Sequence, residues 1–175
     1  MRTETTTRTL YKFEELSDEA KEKALDSHRY TNTEHMEWWE STYEDAANVG
    51  IKIEGFDTGR PSTIDGTVED TESTAHQIVR DHGEECETYK TAAEYLKERD
   101  AVIAAAPKDP DTDEYMDIEA LDDKLDELGK EFTKSILEDY LIILRNELEY
   151  LESDEAAQES IEANGYEFTE DGQQA

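Results

Sequence analysis

The sequence predicts an α+β fold: a small antiparallel sheet of three to four strands packed against several α-helices, one of them long and in the C-terminal half. Three observations carry this. Between Ile118 and Leu151, apolar residues recur every three or four positions with Asp, Glu and Lys between them. That spacing stacks Ile118, Leu121, Leu125, Leu128, Phe132, Ile136, Tyr140, Ile143 and Leu144 on one side of a helix. Two short β-prone runs, 51–56 and 62–69, flank the turn-forming DTGRP and read as a hairpin. Strands and helices are segregated along the chain, which points to α+β and away from an alternating parallel sheet.

Taken in order, Thr3 to Phe13 reads TETTTRTLYKF, and its β-branched and aromatic residues favour a strand with Thr5, Thr7, Thr9, Tyr11 and Phe13 on one face. Ser17, followed by Asp18 and Glu19, opens a helix, because a serine hydroxyl satisfies an orphan amide and carboxylates suit the positive helix end. Ala20, Ala24, Leu25 and His28 form its inner stripe. A second helix is expected from Asn32 or Thr33 to Gly50, with Met36, Trp39, Tyr43, Ala46 and Ala47 inward and Trp38 aimed elsewhere. In the hairpin that follows, Gly55 and Gly66 mark a bulge or a close backbone approach. Thr71 or Ser73 caps a helix through Ala75, Ile78 and Val79 that stops at Gly83. Another helix spans about 86–106 and ends at Pro107. The run PKDPDTDEYMD, 107–117, reads as an acidic linker. In the long helix, LEDYLIILRNEL is apolar around most of its circumference, and Gly129 is the place for a bend. Ser153 opens a last short helix closed at Asn164–Gly165, and YEFT, 166–169, is a closing strand. At 175 residues the chain is expected to be one domain, 1–175.

Charge is the main global feature. Forty-eight acidic residues face seventeen basic ones, a formal net charge of −31. Such a field repels nucleic acid and anionic membrane, so a direct nucleic-acid binder is not expected. Three readings of the acidity remain: solvation in a high-salt host, an ordinary acidic surface, or imitation of the phosphate array of DNA. The single cysteine, Cys86, excludes an internal disulfide framework and suits a reducing cytoplasm. No apolar run has the length of a bilayer span, and the opening residues show no apolar stretch of the secretory kind, so a soluble cytoplasmic protein is expected.

Two sets of residues carry a resemblance. YKFEELSDEAKEKAL near the start with DHGEECETYKTA at 81–92, and LEDYLIILRNELEYLESDEAAQESIEANGYEFTEDG at 137–172, resemble a family of small phage and prophage proteins. The matching segments span nearly the whole chain. The resemblance implies phage origin and a host-cell cytoplasm, and it assigns neither an activity nor a catalytic residue.

Candidate chemistry is sparse. His82 and Cys86 lie in DHGEECETYK, but a structural zinc site needs about four ligands and no second Cys exists. A catalytic thiolate needs a cationic neighbour, and the neighbours here are Glu84, Glu85 and Glu87. His28, His35 and His76 share no spacing. Asp57, Asp65, Glu69 and Asp70 around the hairpin lack the spacing of a calcium loop. No catalytic residue, cofactor or metal ligand is assigned.

The acidic runs are more informative. Asp109–Glu127 holds ten acidic residues and one Lys, and Asn146–Ala175 holds ten with no Lys or Arg. The commonest meaning of such runs is a solvated face. The sharper meaning is a binding face, because carboxylates three or four apart on a helix are about 5–6 Å apart at Cβ, near the spacing of phosphates on a strand. The residues expected to meet a partner are Asp109, Asp111, Asp113, Glu114, Asp122 and Asp123 in the first run. In the second they are Glu147, Glu149, Glu152, Asp154, Glu155, Glu159 and Glu162, with Trp38 as an aromatic anchor if exposed. The expected function is that of a phage accessory protein that inhibits a host nucleic-acid-binding defence factor, of restriction or CRISPR type, by acidic mimicry. The alternatives are a dimerisation module, with Leu137, Leu141, Ile142 and Leu148 widening the apolar stripe of the long helix, and a small metal-dependent enzyme.

Overall fold

The computed structural model describes Arg2 and residues 7–175. Among them are six α-helices and one hairpin: α1 (Asp18–His28), α2 (Glu40–Asn48), β1 (Ile51–Asp57), β2 (Thr63–Val68), α3 (Thr71–Asp81), α4 (Glu87–Ala105), α5 (Ile118–Leu151) and α6 (Asp154–Asn164). The chain divides into two compact units, Trp39–Arg145 and Met1–Trp38 with Asn146–Ala175. Helix α5 contributes its residues through Arg145 to the first and its last turns to the second.

In the Trp39–Arg145 unit, β1 and β2 pair antiparallel from Ile51↔Val68 to Asp57↔Thr63, with the register shifting between Ile53 and Gly55. Period-2 burial follows: Ile51 and Ile53 are buried, while Lys52 and Glu54 are exposed. Gly66 is a close approach, since a Cβ there would lie 2.7 Å from the Lys52 carbonyl and 2.8 Å from Leu137 Cδ2. The apolar sheet face joins Ala46 and Val49 of the α2 end, Ala75 and Ile78 of α3, Ala92 and Tyr95 of α4, and Phe132, Ile136, Leu137 and Tyr140 of α5 in one core. Tyr95 and Phe132 stack with centroids 4.5 Å apart. Each fully buried side chain contributes about 1.5–3 kcal/mol of apolar burial, and α5 supplies Ile136 and Tyr140, with Phe132 and Leu137 also buried, more than any other helix of this core.

The other unit is organised on Phe13, Leu16, Ala20, Ala24, Ile161 and Phe168. Ser17 caps α1 through Ala20 N, and Ser153 caps α6 through Ala156 N, as their sequence signatures require. Gly165 closes α6 in the left-handed region at φ 63°. His28 is a core histidine: its Nδ1 lies 2.8 Å from the Ala24 carbonyl, and its ring packs against Tyr166 and Phe168.

Four expectations are corrected. The sheet has two strands among the described residues, where three to four were expected. Part of the N-terminal run, 3–6, lies outside the described residues. The remainder forms a single bridge, Tyr11 to Phe168, before the chain tightens into a 3-10 turn at Phe13–Glu15. Residues 166–169 cannot extend that bridge into a strand, because Gly172 N donates to the Thr169 carbonyl and turns the tail back. The helix expected from 32 begins only at Glu40: the Asn32 amide reaches the Ala156 carbonyl at 3.3 Å instead of capping, and Met36 is exposed. Asp70, not Thr71 or Ser73, caps α3, accepting from Ser73 N at 2.9 Å. The run 107–117, read as a linker, is a closed loop: Asp109 N donates to the Glu114 carbonyl, Met116 N to the Pro107 carbonyl, and Lys108 bridges to Tyr115.

Candidate acidic interaction faces

The loop at 107–117 is itself built from acidic residues. Asp109 turns its carboxylate inward to accept from Asp111 N at 2.8 Å and Thr112 N at 3.2 Å, which ties the turn. Asp113 sits at φ 58° and pairs with Lys108 Nζ at 3.5 Å, while that ammonium also lies over the Tyr115 ring. These two carboxylates are therefore committed to the fold. Asp111, Glu114, Asp122 and Asp123 are exposed and, among the described residues, have no side-chain partner. Ala120 N donates to Asp117 Oδ1 at 3.0 Å, so the start of α5 is capped by the same run.

The second run, in the other unit, is less bare than its composition implies. Arg29, from the end of α1, donates to Asp154 Oδ1 at 2.8 Å and to the Glu152 carbonyl at 3.0 Å, and also pairs with Asp26. Hydrogen bonds donated to Asp26 and Asp154 hold the guanidinium proton more tightly than usual. Lys12 pairs with Glu167 at 3.2 Å and donates to the Gly165 carbonyl. Two cations remote in sequence thus compensate a run that contains none. No local signal announces this, because i,i+3 and i,i+4 rules see only near neighbours. Within the run, Tyr150 Oη donates to Glu159 at 3.1 Å, a bond that raises the phenol's pKa, and Gln158 donates to Glu162. Glu147 and Glu152 are half-buried, as is Trp38, while Glu149 and Glu155 are exposed without a side-chain partner among the described residues. Of the carboxylates expected to meet a partner, those exposed and without a side-chain partner among the described residues are Asp111, Glu114, Asp122 and Asp123 in one unit and Glu149 and Glu155 in the other.

Sequence reasoning missed a polar network under the core of the first unit. Tyr140, fully buried, donates from Oη to Asp45 Oδ2 at 2.8 Å. Burial foremost, then this bond, pushes the phenol far above its ordinary range, so it stays protonated as a donor. His82 Nδ1 lies 2.8 Å from Thr88 Oγ1, and its Nε2 is 3.7 Å from Asp45 Oδ2. Cys86 is exposed at the start of α4. His82 thus serves the α3–α4 corner. Among the described residues, no group of three or more His, Cys, Asp or Glu side chains is placed to hold a metal ion, and no helix is long and apolar enough to cross a membrane.

On α5 the fold opposes the charge of Asp139. Burial raises its carboxyl pKa, outweighing the 2.7 Å hydrogen bond it accepts from Thr91 Oγ1, and Glu87 and Glu138 add to the rise. A carboxyl raised on folding contributes stability below its unfolded pKa and loses it as pH rises through the folded value. Asp139→Asn, which keeps an acceptor for Thr91, should therefore melt higher than wild type at neutral pH and equal it in acid. Thermal midpoints from about pH 3 to pH 8 check this.

Comparison with family models, with curated proteins and with solved structures finds no match to this chain.

Proposed function

We propose that this protein is a non-enzymatic accessory protein that binds and blocks a cationic, nucleic-acid-binding protein of a phage host, acting in the host cytoplasm. The observation that supports the reading is the set of exposed carboxylates Asp111, Glu114, Asp122 and Asp123, none paired with a cation among the described residues. In a protein built to be merely acidic and stable, such groups would gain from ion pairs like those at Arg29 and Lys12. Left bare on the 107–117 loop and the first turns of α5, they are available to an external cationic channel and can compete there with phosphates. The restriction or CRISPR class of target rests on the resemblance to phage proteins alone.

Capture from host lysate tests this. Immobilised wild-type protein should retain a basic, nucleic-acid-binding protein at low salt and release it as salt rises. A variant carrying Asp111, Asp122 and Asp123 as Asn and Glu114 as Gln should bind at least about fourfold more weakly, given about 0.2–1 kcal/mol for each exposed ion pair removed. Capture of no basic partner at any salt, or capture insensitive to these four substitutions, would sink the reading.

A second reading has an observation of its own. Ile142 and Ile143 on α5 remain 49% and 39% exposed, an apolar surface that suits a dimerisation module whose acidity serves solubility. Sedimentation showing a dimer that Ile142→Glu abolishes, together with no captured partner, would favour it.

A further inference from the structure

Helices α4 and α5 run side by side past two clefts. One, of about 430 Å³, is lined by Ala101, Val102 and Ala105 of α4 and by Leu121 of α5, with Asp117 and Lys124 completing the polar part of its lining. Met116 and Ile118 are 68% and 59% exposed at the start of α5, beside that lining in sequence. The other cleft, of about 310 Å³, has the stacked Tyr95 and Phe132 rings in its lining with Glu94, Glu98 and Glu131.

The two clefts are one seam repeated. Glu94, Tyr95 and Glu98 in the second are each seven residues from Ala101, Val102 and Ala105 in the first, and Leu128 and Glu131 are each seven from Leu121 and Lys124. Seven residues is two helical turns, which brings side chains back to nearly the same face. The seam therefore offers an apolar station and an acidic station about 10 Å apart along one groove. Glu94, Glu98 and Glu131 are exposed, and among the described residues none has an ion pair.

We propose that this seam docks an amphipathic, basic helix of the partner, with an apolar side chain over Ala101, Val102, Ala105 and Leu121 and a Lys or Arg two turns away against the three glutamates. The proposal rests on the cationic-partner reading and adds a place and a binding mode. Charge complementarity selects the occupant. A second copy of this chain would bring a further −31, whereas a cationic helix is drawn to the glutamates and buries its apolar stripe on a surface of small residues that admits close approach.

The test uses the full chain and a fluorescein-labelled helical peptide of about 20 leucines, alanines and lysines, with leucine and lysine set at heptad spacing, beside a peptide of the same composition with the leucines off the stripe. Wild type should prefer the striped peptide by at least about tenfold, the worth of one well-buried aliphatic side chain. Ala105→Glu should abolish the preference, and because Ala105 is exposed on a helix this variant should fold normally. Glu94→Gln, Glu98→Gln and Glu131→Gln together should weaken binding and flatten its salt dependence. A smaller preference, one that Ala105→Glu leaves intact, or a concentration-dependent dimer that Ala105→Glu dissolves would overturn the assignment. Failure here separates from failure of the acidic-face reading. A lysate partner captured equally by Ala105→Glu removes the seam alone, and striped-peptide binding without any basic lysate partner removes the host target alone.

Discussion

Tyr140→Ala is expected to destabilise the protein by about 3–5 kcal/mol, the range for truncating a large buried ring and leaving a cavity. Tyr140 is fully buried on α5, in the core that also holds Ile51, Ile78 and Ile136. Its ring is the largest fully buried side chain among the described residues, so the void it leaves is large. The phenol adds a second loss, since Asp45 Oδ2 loses its 2.8 Å donor. Tyr140→Phe separates the two contributions. It keeps the ring and should cost only about 0.5–1.5 kcal/mol, because the Asp45 carboxylate is half exposed and water can replace the hydroxyl. Urea unfolding of both variants measures the difference, and a Tyr140→Ala loss no larger than that of Tyr140→Phe would show that α5 does not organise this core.

Gly172→Ala should be the most damaging single methyl in the other unit, at about 2–5 kcal/mol for positive-φ strain plus overpacking. Gly172 sits at φ 85°, and a Cβ there would lie 2.2 Å from the Ala20 carbonyl oxygen, on backbone that cannot swing aside. The tail must then lift from α1. His28 and Phe168 would lose the lid that holds them, including the 3.2 Å contact from His28 Nε2 to the Gln174 side chain. Hydrogen exchange should show it locally, with the amides of Thr169 and Ala175, which bond within the tail, losing protection while Ile136 in the first unit keeps its own.

The contrast between these two positions explains what the sequence made legible. The periodicity of Ile118–Leu151 is a local signal repeated over many turns, and the helix appears with the expected bounds. The hairpin, the caps at Ser17 and Ser153 and the glycine stop at Gly165 are likewise written within a few residues. Gly172 was invisible because its reason is the Ala20 carbonyl, 152 positions away in number though adjacent in space. The same holds for the acidic faces. Their composition is plain, yet which carboxylates are spoken for depends on Arg29, Lys12 and Lys108, and the first two of these arrive from distant segments. Among the described residues of the N-terminal run a strand is missing for the opposite reason. Thr-rich residues favour a strand only where a partner strand exists, and Tyr11 finds one bridging residue, Phe168.

The central claim is that the bare carboxylates compete with nucleic acid for a protein partner. The most direct measurement is displacement: the partner captured from host lysate is loaded with labelled duplex DNA, and this protein is titrated in at several salt concentrations. The expected result is one-for-one release of the DNA, with an apparent affinity that falls steeply as salt rises and that drops when Asp111, Asp122 and Asp123 are changed to Asn and Glu114 to Gln. A ternary complex that retains the DNA, with binding indifferent to salt and to those four substitutions, would contradict it.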